Sequence, residues 1–198
     1  MIALAVYIII KNRAKTNKNE DNDDLFEKAL NTTDQEVIYE TLIQHNKESI
    51  NELLNVAKNI YVGVVDAFVK EDIKTLRKAS NDCRMAKDKM KQLKRKEIMI
   101  MRRMDDKMIN KNTWFHLSYN CIEQILYSLR RICDPCKEYV DNSFTPLDKK
   151  YLPEVENLKE KVVWSVEAAD ITVYSSEYKD IDAVMERVKI REDELVEM

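Results

Sequence analysis

One glycine, Gly63, and three prolines are all that this 198-residue chain has for breaking regular structure. A β-sandwich or a doubly wound sheet needs many tight turns, and glycine usually supplies their positive φ angles. The scarcity argues against both and for a few long helices. A single glycine also leaves no glycine-rich phosphate loop. Histidine is nearly as scarce: His45 and His116 are the only two, with Leu42 and Thr113 three residues before them. The inward Glu-x-x-His pairs of a di-iron bundle are therefore absent. Charge of one sign is lacking too. Thirty-three basic residues stand against 36 acidic ones, a net charge of −3, so no global field draws the chain to nucleic acid. Four cysteines are too few for the framework of a small secreted domain and fit a reducing cytosol.

A long hydrophobic run is missing as well, although the chain opens with MIALAVYIIIKNRAK. The run Ile2–Ile10 would rise only about 15 Å as a helix, against a hydrocarbon core of about 30 Å. Its basic residues, Lys11, Arg13 and Lys15, come after it, which is the reverse of a signal peptide. An apolar helix end followed by Lys and Arg has the form of the cytoplasmic end of a transmembrane helix under the positive-inside rule. Residues 1–10 are accordingly predicted to end a transmembrane helix, the alternative being a short element of the core. Residues 11–32, polar and rich in Asn and Asp, read as a tether.

Residues 33–198 hold the helical periodicity. Thr33-Asp34-Gln35-Glu36 has the form of a capping box with Thr33 as N-cap. Ile50, Leu53, Leu54, Ala57, Ile60, Tyr61, Val64, Val65 and Phe68 then mark one face of a first helix reaching about Lys70. A second helix carries Leu76, Ala79, Cys83, Ala86, Met90 and Leu93, the seam spacing of a coiled coil or antiparallel bundle. Its stripe broadens into methionines, flexible fillers that point to packing. A third helix places Trp114, Leu117, Cys121, Ile122, Ile125, Leu126, Leu129, Ile132, Cys133, Cys136 and Val140 on one face, with a kink expected at Pro135. Residues 142–146 form a loop, and a fourth helix follows Pro153. Within it Asp170–Tyr174 is β-branched enough to be extended instead. A shorter fifth helix carries Ile181, Val184, Val188 and Leu195. The expected fold class is all-α, an up-down bundle of four long helices plus a shorter fifth.

Chemistry is thinly marked. Cys133-Asp134-Pro135-Cys136 has the C-x-x-C spacing of redox sites and of half a zinc site. No βαβ pattern surrounds it and no second C-x-x-C completes four ligands, so packed core cysteines are favoured over a redox or metal role. No Ser/His/Asp arrangement is indicated, and no enzyme is expected. The basic run is more telling: Lys87, Lys89, Lys91, Lys94, Arg95, Lys96, Arg102 and Arg103 crowd one stretch against Asp88 and Glu97. Such a run is either a solvated helix face or a surface for docking on anionic lipid, worth about 1 kcal/mol per basic residue near the headgroups.

FHLSYNCIEQILYSLRRICDPCKEYVDNSFTPL, residues 115–147, resembles the helix-and-loop segment in the cytosolic PhoU-like tail of bacterial PiT-type inorganic phosphate transporters. YKDIDAVMERVKIREDELVE near the end is similar to their Asp-x-Asp-x-Val and Arg-Asp-Glu-Leu helix. The resemblance covers most of residues 1–198, and the opening run sits where that family ends its last transmembrane helix. It implies a PhoU-like bundle that regulates phosphate uptake without catalysis, inner-membrane-associated with its bulk in the cytoplasm. The implied partners are the transporter's membrane domain and the anionic membrane surface, not nucleic acid. Some PhoU-like proteins bind metal through Glu/Asp-x-x-x-Asp motifs. Here that pattern is sparse, limited to Glu20–Asp24 in the tether and to Asp134, Glu138 and Asp141, so no cofactor is expected beyond a weak prospect of a metal ion. Two other readings compete: a scaffold that forms a homo-oligomer through the Leu76–Leu93 seam, and a thiol-redox protein using Cys133 and Cys136.

Overall fold

The structure, a computed structural model, describes residues 26–27, 29–106, 113–174 and 189. Among them there is no strand, and the chain is an all-α bundle. Four helices carry it: α1 (Gln35–Val69), α2 (Ile73–Met101), α3 (Thr113–Asp141) and α4 (Leu152–Tyr174), with a 3₁₀ turn at Lys149–Tyr151 before the last. Ile2–Ile10, Lys11, Arg13, Lys15 and the predicted fifth helix, apart from Lys189, lie outside the described residues.

Helix starts are set by aspartates. Asp34 Oδ1 accepts the Glu36 backbone N–H at 3.1 Å, so Asp34 is the N-cap of α1 and the predicted Thr33 is not. The helix begins at Gln35, which makes Asp34 and not Thr33 the residue before it. Asp72 caps α2 more fully, accepting the backbone N–H groups of Lys74 and Thr75 and the Thr75 hydroxyl, the last at 2.6 Å. These bonds, the Thr75 hydroxyl first, hold its carboxyl below the usual carboxylate range.

Helix ends show what the shortage of glycine does. Glu71 and Ser143 take positive φ, 53° and 54°, where glycine is the usual residue. At the end of α1, Glu71 N–H donates to the Phe68 carbonyl and Asp72 N–H to Ala67; at the end of α3, Ser143 N–H donates to Val140 and Phe144 N–H to Tyr139. Both are Schellman closures, and the second carries the usual apolar clasp, the Tyr139 and Phe144 rings lying 5.2 Å apart. The predicted turn at Glu71-Asp72 and loop at 142–146 are both present. Helix α3 continues through Pro135, which has no N–H to give the Arg131 carbonyl. Helix α4 runs to Tyr174, so Asp170–Tyr174 is helical and not extended; no strand is available among the described residues to pair with it.

The chain divides into two compact units, one of the residues up to Asn46 with Lys94–Phe115, the other of Lys47–Leu93 with the residues from His116 on. In the first, residues 29–31 are helical and Ala29 is fully buried with Ile38, Leu42, Ile100 and Phe115. The stretch predicted as a tether to residue 32 therefore already packs at its end, because Ala29 is small enough to seat against the helix faces.

In the second unit, cross-helix pairs fix the direction of packing. Glu52 of α1 meets Lys89 of α2; Arg77 and Cys83 of α2 meet Asp141 and Cys133 of α3; Lys58 and Asp66 of α1 meet Glu167 and Lys159 of α4. In the two sets of two pairs the numbers rise on one helix as they fall on the other, and Glu52 and Lys89 stand about equally far on either side of the Glu71-Asp72 turn, giving the expected up-and-down order. The seam residues Leu76, Ala79, Cys83, Ala86 and Met90 are all buried. Each fully buried leucine of such a core contributes about 1.5–3 kcal/mol by leaving water. The inward face of α3 keeps Ile122, Leu126, Leu129 and Cys133 of the predicted one and is narrower than it. Tyr119, Ile122, Leu126, Leu129 and Cys133 are buried at alternating steps of 3 and 4, whereas Leu117 is 58% exposed and Cys121 is exposed. The buried set forms a narrow seam, and residues two positions off it face water.

Candidate functional site

The feature of this fold best suited to recognising a ligand is a groove of about 1050 Å³ in the second unit, between α2 and α3. Helix periodicity builds it. Arg77, Arg84 and Lys91 recur every seven residues on α2, so one face of that helix carries them, with Lys87 one turn before Lys91. Arg130 and Arg131 of α3 line the opposite bank. Among the described residues, two carboxylates, Asp88 and Asp134, line the groove with these six cations.

Part of this charge is held in place by neighbours. Asp134 accepts from the Ser80 hydroxyl and from Arg130 Nε, both at 3.1 Å, and Arg77 Nη2 donates to Asp141 at 2.6 Å. Lys91 lies 3.6 Å from Asp88. These pairs are exposed and worth about 0–1 kcal/mol each, so they orient side chains without binding them tightly. Arg84 donates to the Asn81 amide oxygen at 2.8 Å, and the Arg131 guanidinium sits 5.9 Å from the Tyr127 ring centroid. Among the described residues, no ion pair engages Arg84, Lys87 or Arg131.

Of the predicted docking residues, Lys87 and Lys91 line this groove, and Lys89 is tied to Glu52. The rest belong to the first unit. There Arg95 and Arg102 are exposed, Lys94 is half-buried, Lys96 Nζ lies 5.6 Å over the Phe26 ring, and Arg103 donates to the Thr32 carbonyl at 3.1 Å. The predicted run is thus spread over both units. Arg77, Arg84, Arg130 and Arg131 were missed by the sequence reading because they fall outside any dense basic stretch; the seven-residue recurrence of cations on α2 was the available signal.

The cysteines are rearranged relative to expectation. Cys133 pairs with Cys83 of α2, Sγ to Sγ 3.3 Å, and not with Cys136. The hydrogen bond between them pushes the Cys133 thiol far above the ordinary range and lowers the Cys83 thiol, so any activation in the pair falls on Cys83 and not on the C-x-x-C motif. Burial raises the Cys136 thiol as well. Among the described residues, no group of three or more His, Cys, Asp or Glu side chains is placed to hold a metal ion. Asp134 and Asp141, two of the predicted acidic stripe, are instead engaged with Arg130 and Arg77. In the first unit Glu97, fully buried, lies 2.9 Å from His45 Nδ1 and accepts from the Asn46 amide at 2.8 Å. It is a buried polar cluster in the core.

No helix among the described residues is long and apolar enough to cross a membrane. The chain matches no known protein family, no curated protein and no solved structure.

Proposed function

We propose that this chain is a non-catalytic, PhoU-like regulatory bundle of an inorganic phosphate transporter, which modulates phosphate uptake by docking its basic α2 surface against the membrane domain or the anionic inner leaflet. The observation that carries the reading is the exposure of cations on α2 and just past its end: Arg95 and Arg102 in one unit, Arg84, Lys87 and Lys91 in the other. The resemblance of residues 115–147 and of the C-terminal stretch to transporter tails supplies the transport context. In this reading the bulk of the chain is cytoplasmic and the opening run holds it at the inner membrane. A scaffold dimerising through the Leu76–Leu93 seam is disfavoured, since Leu76 through Met90 of that seam are already packed within the chain. The thiol-redox alternative through Cys133 and Cys136 is disfavoured because the Cys133 sulfur faces Cys83 and not Cys136. The test is phosphate uptake by cells expressing the intact gene product with Arg95→Glu and Arg102→Glu. Uptake should escape control by external phosphate while protein level and helicity are kept. Control identical to the unmodified protein would contradict the proposal.

A further inference from the structure

We propose that the groove between α2 and α3 is a binding site for an elongated anion carrying several clustered phosphate groups. This rests on the reading of α2 as an anion-facing surface and names what one part of it holds. The argument starts from charge. Six cations and two carboxylates give the groove a local excess of four positive charges in a chain whose net charge is −3. The acidic residues nearest to it are already engaged: Asp134 with Arg130 and Ser80, Asp141 with Arg77, Asp88 with Lys91. Repulsion among the rest is unrelieved within the described residues.

Shape comes next. Arg77 and Lys91 are fourteen residues apart on one helix, about 21 Å at 1.5 Å per residue. A single phosphate engages one turn of this row, whereas several clustered phosphates engage more than one. The cations stand on both banks, α2 and α3, so the ligand must present negative charge on two sides at once. An extended acidic peptide sends successive side chains to opposite faces and places charges on one face only about every 6.6 Å. A chain of phosphates carries anionic oxygens all around a compact backbone. Four of the six cations are arginines, whose planar forks match phosphate oxygens two at a time. Ser80 and Asn81 add a hydroxyl and an amide to the same wall. The groove volume, about 1050 Å³, is that of a ligand site.

Clustered phosphate can come from a free oligophosphate or from a multiply phosphorylated lipid headgroup. The test uses the full chain, titrated calorimetrically in detergent micelles with sodium tripolyphosphate and, separately, cosedimented after detergent removal with vesicles containing phosphatidylinositol bisphosphate. Three proteins are compared: the unmodified chain; Arg84→Gln/Lys87→Gln/Arg131→Gln, which breaks no ion pair seen here; and Lys70→Gln/Lys78→Gln/Lys149→Gln, which removes the same charge elsewhere. Melting by circular dichroism confirms that each is folded. Tripolyphosphate binding weakened tenfold or more by the groove variant alone supports a free oligophosphate. Vesicle binding alone, weakened in the same selective way, supports the headgroup source. Equal weakening by both variants, no binding of either probe by the unmodified chain, or tighter binding of polyglutamate than of tripolyphosphate overturns the assignment. Uptake control lost in Arg95→Glu/Arg102→Glu with tripolyphosphate binding intact separates the docking proposal from this one.

Discussion

The Sγ atoms of Cys83 and Cys133 face each other at 3.3 Å across the α2–α3 packing, while Cys136, three residues on, has no part in the pair. The motif Cys133-x-x-Cys136 is therefore split by the fold: one sulfur is core, the other half-buried. Cys83 and Cys133 are buried, Cys136 is half-buried and Cys121 is exposed, so reactivity should follow access of the reagent. A thiol reagent at neutral pH should label Cys121 first, Cys136 slowly, and Cys83 and Cys133 only on unfolding, as read by mass spectrometry. Fast labelling of Cys133 would restore the redox reading.

A second expectation comes from the glycine shortage. Glu71 and Ser143 occupy left-handed conformations that cost a side-chain-bearing residue about 1–2 kcal/mol, partly offset by glycine's greater entropy when unfolded. Glu71→Gly and Ser143→Gly should each raise stability by about 0.5 kcal/mol in urea denaturation. A loss in both would mean that these closures are not the conformations held in solution.

The buried cluster in the first unit gives the largest effect. Glu97→Ala removes the core acceptor that the His45 ring and the Asn46 amide meet and should cost about 3 kcal/mol. Glu97→Gln, which keeps an acceptor oxygen, should cost less. A near-neutral Glu97→Ala would show that water reaches the site.

Alkaline pH should weaken the second unit. The Lys159 ammonium, bonded to Asp66 at 2.8 Å and to Glu156 at 2.7 Å, is held above its ordinary pKa, Asp66 acting most strongly. Burial likewise raises the Tyr61 phenol. In both cases the folded state binds its proton more tightly than the unfolded one, so the stability is complete below about pH 10 and falls as pH rises beyond it. Melting temperatures between pH 9 and pH 12 should decline less steeply in Lys159→Met than in the unmodified chain. Parallel declines would remove Lys159 from the account.

The helices were legible because their signal is local: period 3.6 and scarce glycine place α1, the seam of α2 and the loop after α3 close to where they stand. What escaped was set by neighbours. Phe115 and Tyr119 are fully buried, but aromatics in a mixed stretch do not announce their side, and Leu117 and Cys121 looked equally apolar. The site escaped for the same reason. A dense run such as Lys94-Arg95-Lys96 stands out in one dimension, whereas Arg84 and Arg131 become neighbours only when two antiparallel helices bring their faces to one groove.

Cosedimentation of the full chain with anionic vesicles across a salt series tests most directly whether the basic α2 surface is what this bundle uses. Binding at low salt that falls steeply as ionic strength approaches about 0.15 M, where screening shortens to about 8 Å, is the expected result. Arg95→Glu/Arg102→Glu should lower it further. Binding to neutral and anionic vesicles alike, unchanged by salt or by charge reversal, would contradict the account.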